Sequence, residues 1–168
     1  PVLTDTLKGC ESELYAEKRL TGSWAVSFGM PSSEPDTWRR DIEQTRNKLR
    51  DDQWLVVSVV GTMQPGWSIH ELADDYALCA SWAVESGADC IETNFSCPNV
   101  CSRDGQLYQE SQAAGVVAAR VRAAIGGTPY LVKIGHFQDR TAACHLLDAV
   151  SDFVDGLAMT NSVATQVR

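Results

Sequence analysis

Polar and reactive side chains collect in three places, each at the C-terminal end of an apolar segment of this sequence. The first place is residues 94–99, Asn-Phe-Ser-Cys-Pro-Asn; the second holds Lys133 and His136; the third is residues 160–162, Thr-Asn-Ser. A free thiol has a pKa of about 8.5, so modest tuning makes Cys97 a usable general base. Asparagine amides both donate and accept, which suits a planar heterocycle with alternating N–H and C=O groups. The pattern predicts proton transfer on a heterocyclic substrate.

Cys97 is the predicted catalytic residue, although two other interpretations exist for a cysteine in this position. A cysteine also packs as a small buried hydrophobe. Its place in a polar loop between Ser96 and Pro98 favours chemistry over packing. Cys97 and Cys101 have the spacing of half a zinc site, but no second pair and no nearby histidine completes a tetrahedral set. We therefore predict no metal site.

Lys133 stands inside an apolar segment, Tyr130–Ile134. A lysine in such a segment loses hydration and needs an anionic or polar partner. One interpretation is a side chain at the sheet edge whose ammonium group reaches water. The functional interpretation is a cation held against a cofactor that becomes anionic on reduction.

The elements that must position these residues are strands alternating with amphipathic helices. Strands are predicted at Trp54–Val60, Cys90–Phe95 and Tyr130–Ile134, with a fourth over residues 153–160. Helices between them are marked by a Ser68–Glu71 capping box, by Asp139 as a cap, and by glycines at their ends. This alternation predicts an α/β protein of parallel βαβ units. Its sheet is either an open, doubly wound sheet or a (β/α)8 barrel. No G-x-G-x-x-G follows a strand, so the main signature of a dinucleotide-binding doubly wound domain is missing.

Composition limits the partners. The chain has 168 residues, 44% of them hydrophobic, and a net charge of -8. An acidic protein is a poor ligand for nucleic acid and for an anionic membrane surface. No apolar run approaches the roughly 20 residues that span a bilayer. Six scattered cysteines fit reduced thiols, so we predict a cytoplasmic protein that acts on a small molecule.

Four segments resemble the dihydroorotate dehydrogenase family, in the same order along the chain. Residues 94–100 resemble its N-x-S-C-P-N loop, in which the soluble class carries a cysteine where Cys97 stands. Residues 132–134 are similar to the strand whose lysine contacts flavin, and residues 160–162 to the next strand end. Residues 27–31, Ser-Phe-Gly-Met-Pro, are similar to the family's S-M-G-L-P loop.

The resemblance implies an FMN-dependent oxidoreductase that oxidises dihydroorotate to orotate in pyrimidine biosynthesis. Cys97 would remove a proton from the dihydropyrimidine ring while hydride passes to the flavin. The implied cofactor contacts are Lys133, Asn94 and Thr4. The implied substrate contacts are Asn94, Asn99, Asn161, Ser162, Ser27 and Gly29.

Two positions depart from the family pattern. Residues 4–6 read Thr-Asp-Thr, so Asp5 stands where the family has a lysine, and Val26 replaces a substrate-binding asparagine. Because of these changes, one alternative is that the substrate is a dihydropyrimidine other than dihydroorotate. A tRNA dihydrouridine is a further alternative, against which the acidic charge counts. A catalytically inactive barrel that acts by protein association is the alternative outside enzyme chemistry.

The expected domain is a single FMN-binding (β/α)8 TIM barrel over residues 1–168, incomplete at both ends and holding roughly strands 2 to 6. Barrels of this kind build their phosphate site after strands seven and eight. We therefore expect this segment by itself to bind FMN weakly. An incomplete barrel has unpaired strand edges, so a homodimer that pairs these edges is a further alternative.

Overall fold

Strands and helices alternate along residues 33–96 and 106–160, which the computed structural model describes. In chain order the elements are α1 (Pro35–Arg46), β1 (Val56–Val59), α2 (Ile69–Glu85), β2 (Cys90–Asn94), a 3-10 turn (Leu107–Gln109), α3 (Ser111–Ile125), β3 (Tyr130–Lys133), α4 (Arg140–Val150) and β4 (Gly156–Ala158). All belong to one compact unit. None of these described helices is long and apolar enough to cross a membrane.

The four described strands form one sheet in the order β1-β2-β3-β4, and every neighbouring pair is parallel. The predicted parallel βαβ units are thus confirmed. A doubly wound sheet reverses its strand order part-way, whereas this order runs in one direction. Crossovers between parallel strands are right-handed, so a uniform order places the helices on one face of the sheet.

Burial of the strand residues identifies that face. Successive side chains of a strand point to opposite faces. Ile91, Tyr130 and Val132 are fully buried in one cluster with apolar side chains of α2, α3 and α4. Glu92 and Lys133, which alternate with them, are only partly buried. We call the face that carries Glu92 and Lys133 the helix-free face.

The helix ends follow the sequence signals. The Ser68 backbone N–H donates to the Glu71 carboxylate at 2.6 Å, and this bond lowers the pKa of Glu71. The Asp139 carboxylate accepts from the backbone N–H groups of Thr141 and Ala142 at 3.0 and 3.2 Å. Both predicted caps are therefore confirmed, and each satisfies backbone donors that a helix start leaves open.

At the amino ends of the strands, an aspartate and an arginine clamp β1 to β2. The Leu55 N–H donates to the Asp89 carboxylate at 2.8 Å, and the Asp89 N–H returns a bond to the Leu55 carbonyl at 2.9 Å. Arg46, at the end of α1, pairs with the same carboxylate. The clamp joins one helix and two strands.

The same clamp recurs between β3 and β4. The Tyr130 N–H donates to the Asp155 carboxylate at 2.8 Å, and the Asp155 N–H donates back to the Tyr130 carbonyl at 2.8 Å. Arg122, near the end of α3, pairs with Asp155 at 2.7 Å. Its guanidinium also donates to the carbonyls of Gly126, Thr128 and Phe153 at 2.7–2.8 Å.

All four strands are shorter than the sequence indicated, β2 and β3 by one residue each and the other two by more. Of Trp54–Val60 only Val56–Val59 is a strand, and Trp54 is largely exposed. The prediction of strand at residues 153 and 154 is wrong. The N–H groups of Phe153 and Val154 both donate to the Val150 carbonyl, so these residues continue the last turn of α4 and β4 begins only at Gly156.

Candidate functional site

Asn94 and Lys133 are brought together at the carboxyl ends of β2 and β3. The register of the two parallel strands pairs Asn94 with Lys133 directly. Paired residues of neighbouring strands share a face of the sheet, so both belong to the helix-free face. The Phe95 N–H then donates to the Lys133 carbonyl at 2.9 Å, which continues the pairing one residue further. Two residues predicted for the cofactor site are therefore neighbours.

Lys133 forms an ion pair with Glu92. The Lys133 Nζ lies 3.5 Å from a Glu92 carboxylate oxygen, and the side chains are 29% and 15% exposed. Ser58 on β1 donates its hydroxyl to the same Glu92 oxygen at 2.7 Å. The predicted need of Lys133 for an anionic partner is met within the sheet.

The Asn94 side chain shapes the turn that leaves β2. Its Oδ1 accepts from the Ser96 N–H at 3.1 Å and from the Ser96 hydroxyl at 2.9 Å. The Tyr76 hydroxyl of α2 donates to the Asn94 backbone carbonyl at 3.0 Å. Asn94 and Ser96 are both buried. These bonds fix the direction in which the chain leaves the sheet toward residue 97.

Tyr108 fastens the 3-10 turn to the ends of the same two strands. Its N–H donates to the Phe95 carbonyl and its hydroxyl to the His136 carbonyl, each at 3.1 Å. Its ring meets Phe137 edge-on at 4.9 Å between centroids. A Cβ on Gly135 would lie 2.7 Å from the Tyr108 hydroxyl, so only glycine permits this close approach. His136 itself is exposed.

Most of the predicted site residues lie outside the residues that the structure describes. These are the predicted base Cys97, the cofactor contact Thr4, and the substrate contacts Asn99, Asn161, Ser162, Ser27 and Gly29. Their roles stay predictions. Asn94 and Lys133 are the two whose surroundings are known, and their contacts with cofactor and substrate stay predictions as well.

Sequence reasoning missed Glu92, Ser58 and Tyr108. A signal for Glu92 existed, because it precedes Asn94 by two residues in a strand and so shares its face. Ser58 and Tyr108 carry no such signal. Their contacts depend on strand register and on the return of the chain at the 3-10 turn, which local sequence does not encode.

The cysteines that the structure describes are free thiols. Burial raises the pKa of the Cys79 thiol to about 11. Burial, with the nearby carboxylates of Asp155 and Glu92, also raises the pKa of Cys90. Neither is suited to act as a base near neutral pH. Within the described ranges, no three His, Cys, Asp or Glu residues group as a metal site.

No protein-family model matches this chain, but comparison with curated proteins finds a relative. The chain is 30% identical over 115 residues to a dihydroorotate dehydrogenase of Dictyostelium discoideum. The match covers 67% of this chain. It spans only 30% of the length of that relative. This similarity supports a relationship to dihydroorotate dehydrogenases.

Proposed function

We propose that this chain forms part of an FMN-dependent oxidoreductase that oxidises dihydroorotate to orotate. The observation that carries the proposal is the pairing of Asn94 with Lys133 at the point where Asn-Phe-Ser-Cys-Pro-Asn leaves the sheet. The pairing joins an ammonium and an amide at one edge of the sheet, and Cys97 follows Asn94 by three residues in the sequence. The similarity to a dihydroorotate dehydrogenase supports the choice of reaction.

We also infer that the four described strands are a section of a (β/α)8 barrel. Their consecutive parallel order supports this, because a barrel adds each strand beside the previous one. In a barrel the helix-free face becomes the interior, and the site lies at the carboxyl ends of the strands. Asn94 and Lys133 occupy those ends of β2 and β3.

The residues on the helix-free face fit a flavin. FMN, when bound, supplies an acceptor for two electrons, and negative charge develops on its ring system as it accepts them. The Lys133 ammonium is the kind of group that stabilises such charge. Asn94 and, outside the described residues, Thr4 complete the proposed cofactor contacts.

Cys97 is the proposed general base, and it directly follows the buried Ser96. Its thiolate takes a proton from a ring carbon of the dihydropyrimidine. Asn94 holds Ser96 by two hydrogen bonds and so fixes the start of the segment that carries the thiol. The proposed substrate contacts are Asn94, Asn99, Asn161, Ser162, Ser27 and Gly29.

Flavin absorbance tests the proposal in the full-length protein that contains this chain. We expect a yellow protein whose absorbance bleaches under anaerobic conditions on mixing with dihydroorotate. Dihydrouracil, which lacks the carboxylate, is the matched comparison because Asp5 and Val26 change the region that the family uses for substrate. If dihydrouracil bleached the flavin and dihydroorotate did not, the substrate would be a dihydropyrimidine other than dihydroorotate. A colourless protein that binds no added FMN would overturn the proposal.

A further inference from the structure

A chain of polar contacts crosses three neighbouring strands on the helix-free face. It runs from the Ser58 hydroxyl on β1 to the Glu92 carboxylate on β2 at 2.7 Å, and on to the Lys133 ammonium on β3 at 3.5 Å. The register supports it, since Ser58 is paired with Glu92. Both contacts meet at the same oxygen, Glu92 Oε1. Glu92 is therefore the centre of the chain.

The two charges in this chain are largely withdrawn from water. The Glu92 side chain is 15% exposed and that of Lys133 is 29% exposed. Removing a charge from water is costly unless an opposite charge or hydrogen bonds replace the lost hydration. The ammonium, the carboxylate and the Ser58 hydroxyl supply that replacement for one another. The positive charge that Lys133 presents on this face is thus already partly offset.

We propose that Glu92 sets how strongly Lys133 attracts negative charge at this site. An unpaired ammonium would pull strongly on any anion, whereas one shared with a carboxylate pulls less. Glu92 is then a positioning and charge-balancing residue that acts through Lys133. On the proposed function, on which this inference rests, its effect is to make reduction of the bound flavin less favourable than Lys133 alone would make it.

The Glu92→Gln variant isolates the charge, because glutamine keeps the size of the side chain and a hydrogen-bond partner for Ser58. We expect the equilibrium constant for two-electron flavin reduction to rise about tenfold in the full-length protein, an upward shift of about 30 mV in midpoint potential. Glu43→Gln is the matched control, since Glu43 is exposed on α1. It should leave the potential unchanged. An unchanged or lowered potential in Glu92→Gln overturns the inference.

A double-mutant cycle tests whether the effect passes through Lys133. In a Lys133→Met background no ammonium is left for Glu92 to offset, so the change to glutamine should shift the equilibrium less than about threefold. A full tenfold effect without Lys133 would show that Glu92 acts on the flavin directly, and would overturn the inference. A purely structural role would instead weaken FMN binding and lower the melting temperature without raising the potential.

Cross-linking tests the pair without any flavin. A water-soluble carbodiimide joins a carboxylate and an amine in contact as an amide, and mass spectrometry identifies the joined peptides. We expect a Glu92–Lys133 link in the flavin-free protein and its loss in Glu92→Gln. No link in the parent protein would overturn the pairing. A protein that forms the link yet never binds flavin would overturn the proposed function while leaving the pair established.

Discussion

The amino and carboxyl ends of the sheet use their charged side chains differently. At the amino ends, Asp89 and Asp155 each bind a backbone N–H of the neighbouring strand and an arginine of a preceding helix. At the carboxyl ends, Lys133 has a carboxylate partner at 3.5 Å and stays partly exposed. One end is fastened by short bonds to the backbone. The other holds a charge through side chains only.

The difference indicates a division of labour. Bonds to backbone groups fix strand positions, so changing a clamp residue disturbs the sheet. Side-chain pairs on the helix-free face can change partners without moving a strand. Barrel enzymes generally place stability at the amino end and chemistry at the carboxyl end of their strands. The comparison therefore predicts opposite results for substitutions at the two ends.

The largest expected effect is on catalysis at the carboxyl end. Replacing Cys97 with alanine in the full-length protein should lower the rate of flavin reduction by substrate about 10²–10⁴-fold, because a general base is lost. Flavin content and melting temperature should not change. Serine should restore activity only at higher pH, since its hydroxyl is a poorer base. Stopped-flow absorbance measures the rate, and an unchanged rate would remove Cys97 from the mechanism.

The next effect is on stability at the amino end. Arg122→Ala removes bonds to three backbone carbonyls and the pair with Asp155, and should lower the free energy of unfolding by about 2–3 kcal/mol. Arg120→Ala is the matched control two residues earlier on α3, where Arg120 pairs with Asp74 at an exposed position. It should cost less than about 1 kcal/mol. If urea denaturation showed the same loss of unfolding free energy for both variants, Arg122 would have no special role in holding β3 to β4.

A smaller effect concerns pH. The Arg122 guanidinium, then the Tyr130 N–H, hold the pKa of Asp155 below its usual 3.8. A carboxyl whose pKa is lowered by folding stabilises the protein above 3.8, and this contribution disappears as the pH falls through the lower folded value. Asp155→Asn should therefore be less stable than the parent at pH 6, with the difference shrinking below pH 3.8. Melting temperatures across that range measure it, and a constant difference would contradict the assignment.

The smallest expected effect on stability is that of Lys133→Met. Methionine keeps the length of the side chain, and Glu92 keeps its bond from Ser58 but loses the ammonium, so the free energy of unfolding should fall by about 1–2 kcal/mol. Flavin reduction should nevertheless become less favourable. Urea denaturation and a redox titration give the two values. A loss above 3 kcal/mol would show that the Lys133–Glu92 pair also stabilises the fold. The proposed difference between the amino and carboxyl ends of the sheet would then be wrong.

Local features of the fold were predictable from sequence, and contacts across the sheet were not. The strands at Cys90 and Tyr130 were expected to within one residue, because their apolar segments are bounded by glycines and prolines. The caps at Ser68 and Asp139 depend on residues two or three positions away, so the sequence displays them directly. Such short-range signals account for the element order.

The clamps and the polar chain at Glu92 depend on contacts that are distant in sequence. Arg46 lies 43 residues from Asp89, and Ser58 lies 34 residues from Glu92. Only the register of parallel strands brings such residues together, and register follows from packing of the whole sheet. At the site, the polar residues at the ends of consecutive strands predicted that Asn94 and Lys133 belong to one site, and the register then showed them to be paired. Their actual partners, Ser96 and Glu92, required the structure.

The bond from the Tyr108 N–H to the Phe95 carbonyl closes the base of the segment between them. The Tyr108 hydroxyl also binds the His136 carbonyl, and the Phe95 N–H binds the Lys133 carbonyl, so both residues are held at the end of β3. Phe95 and Tyr108 therefore set where the chain leaves the sheet and where it returns, so these two points do not depend on the number of residues between them.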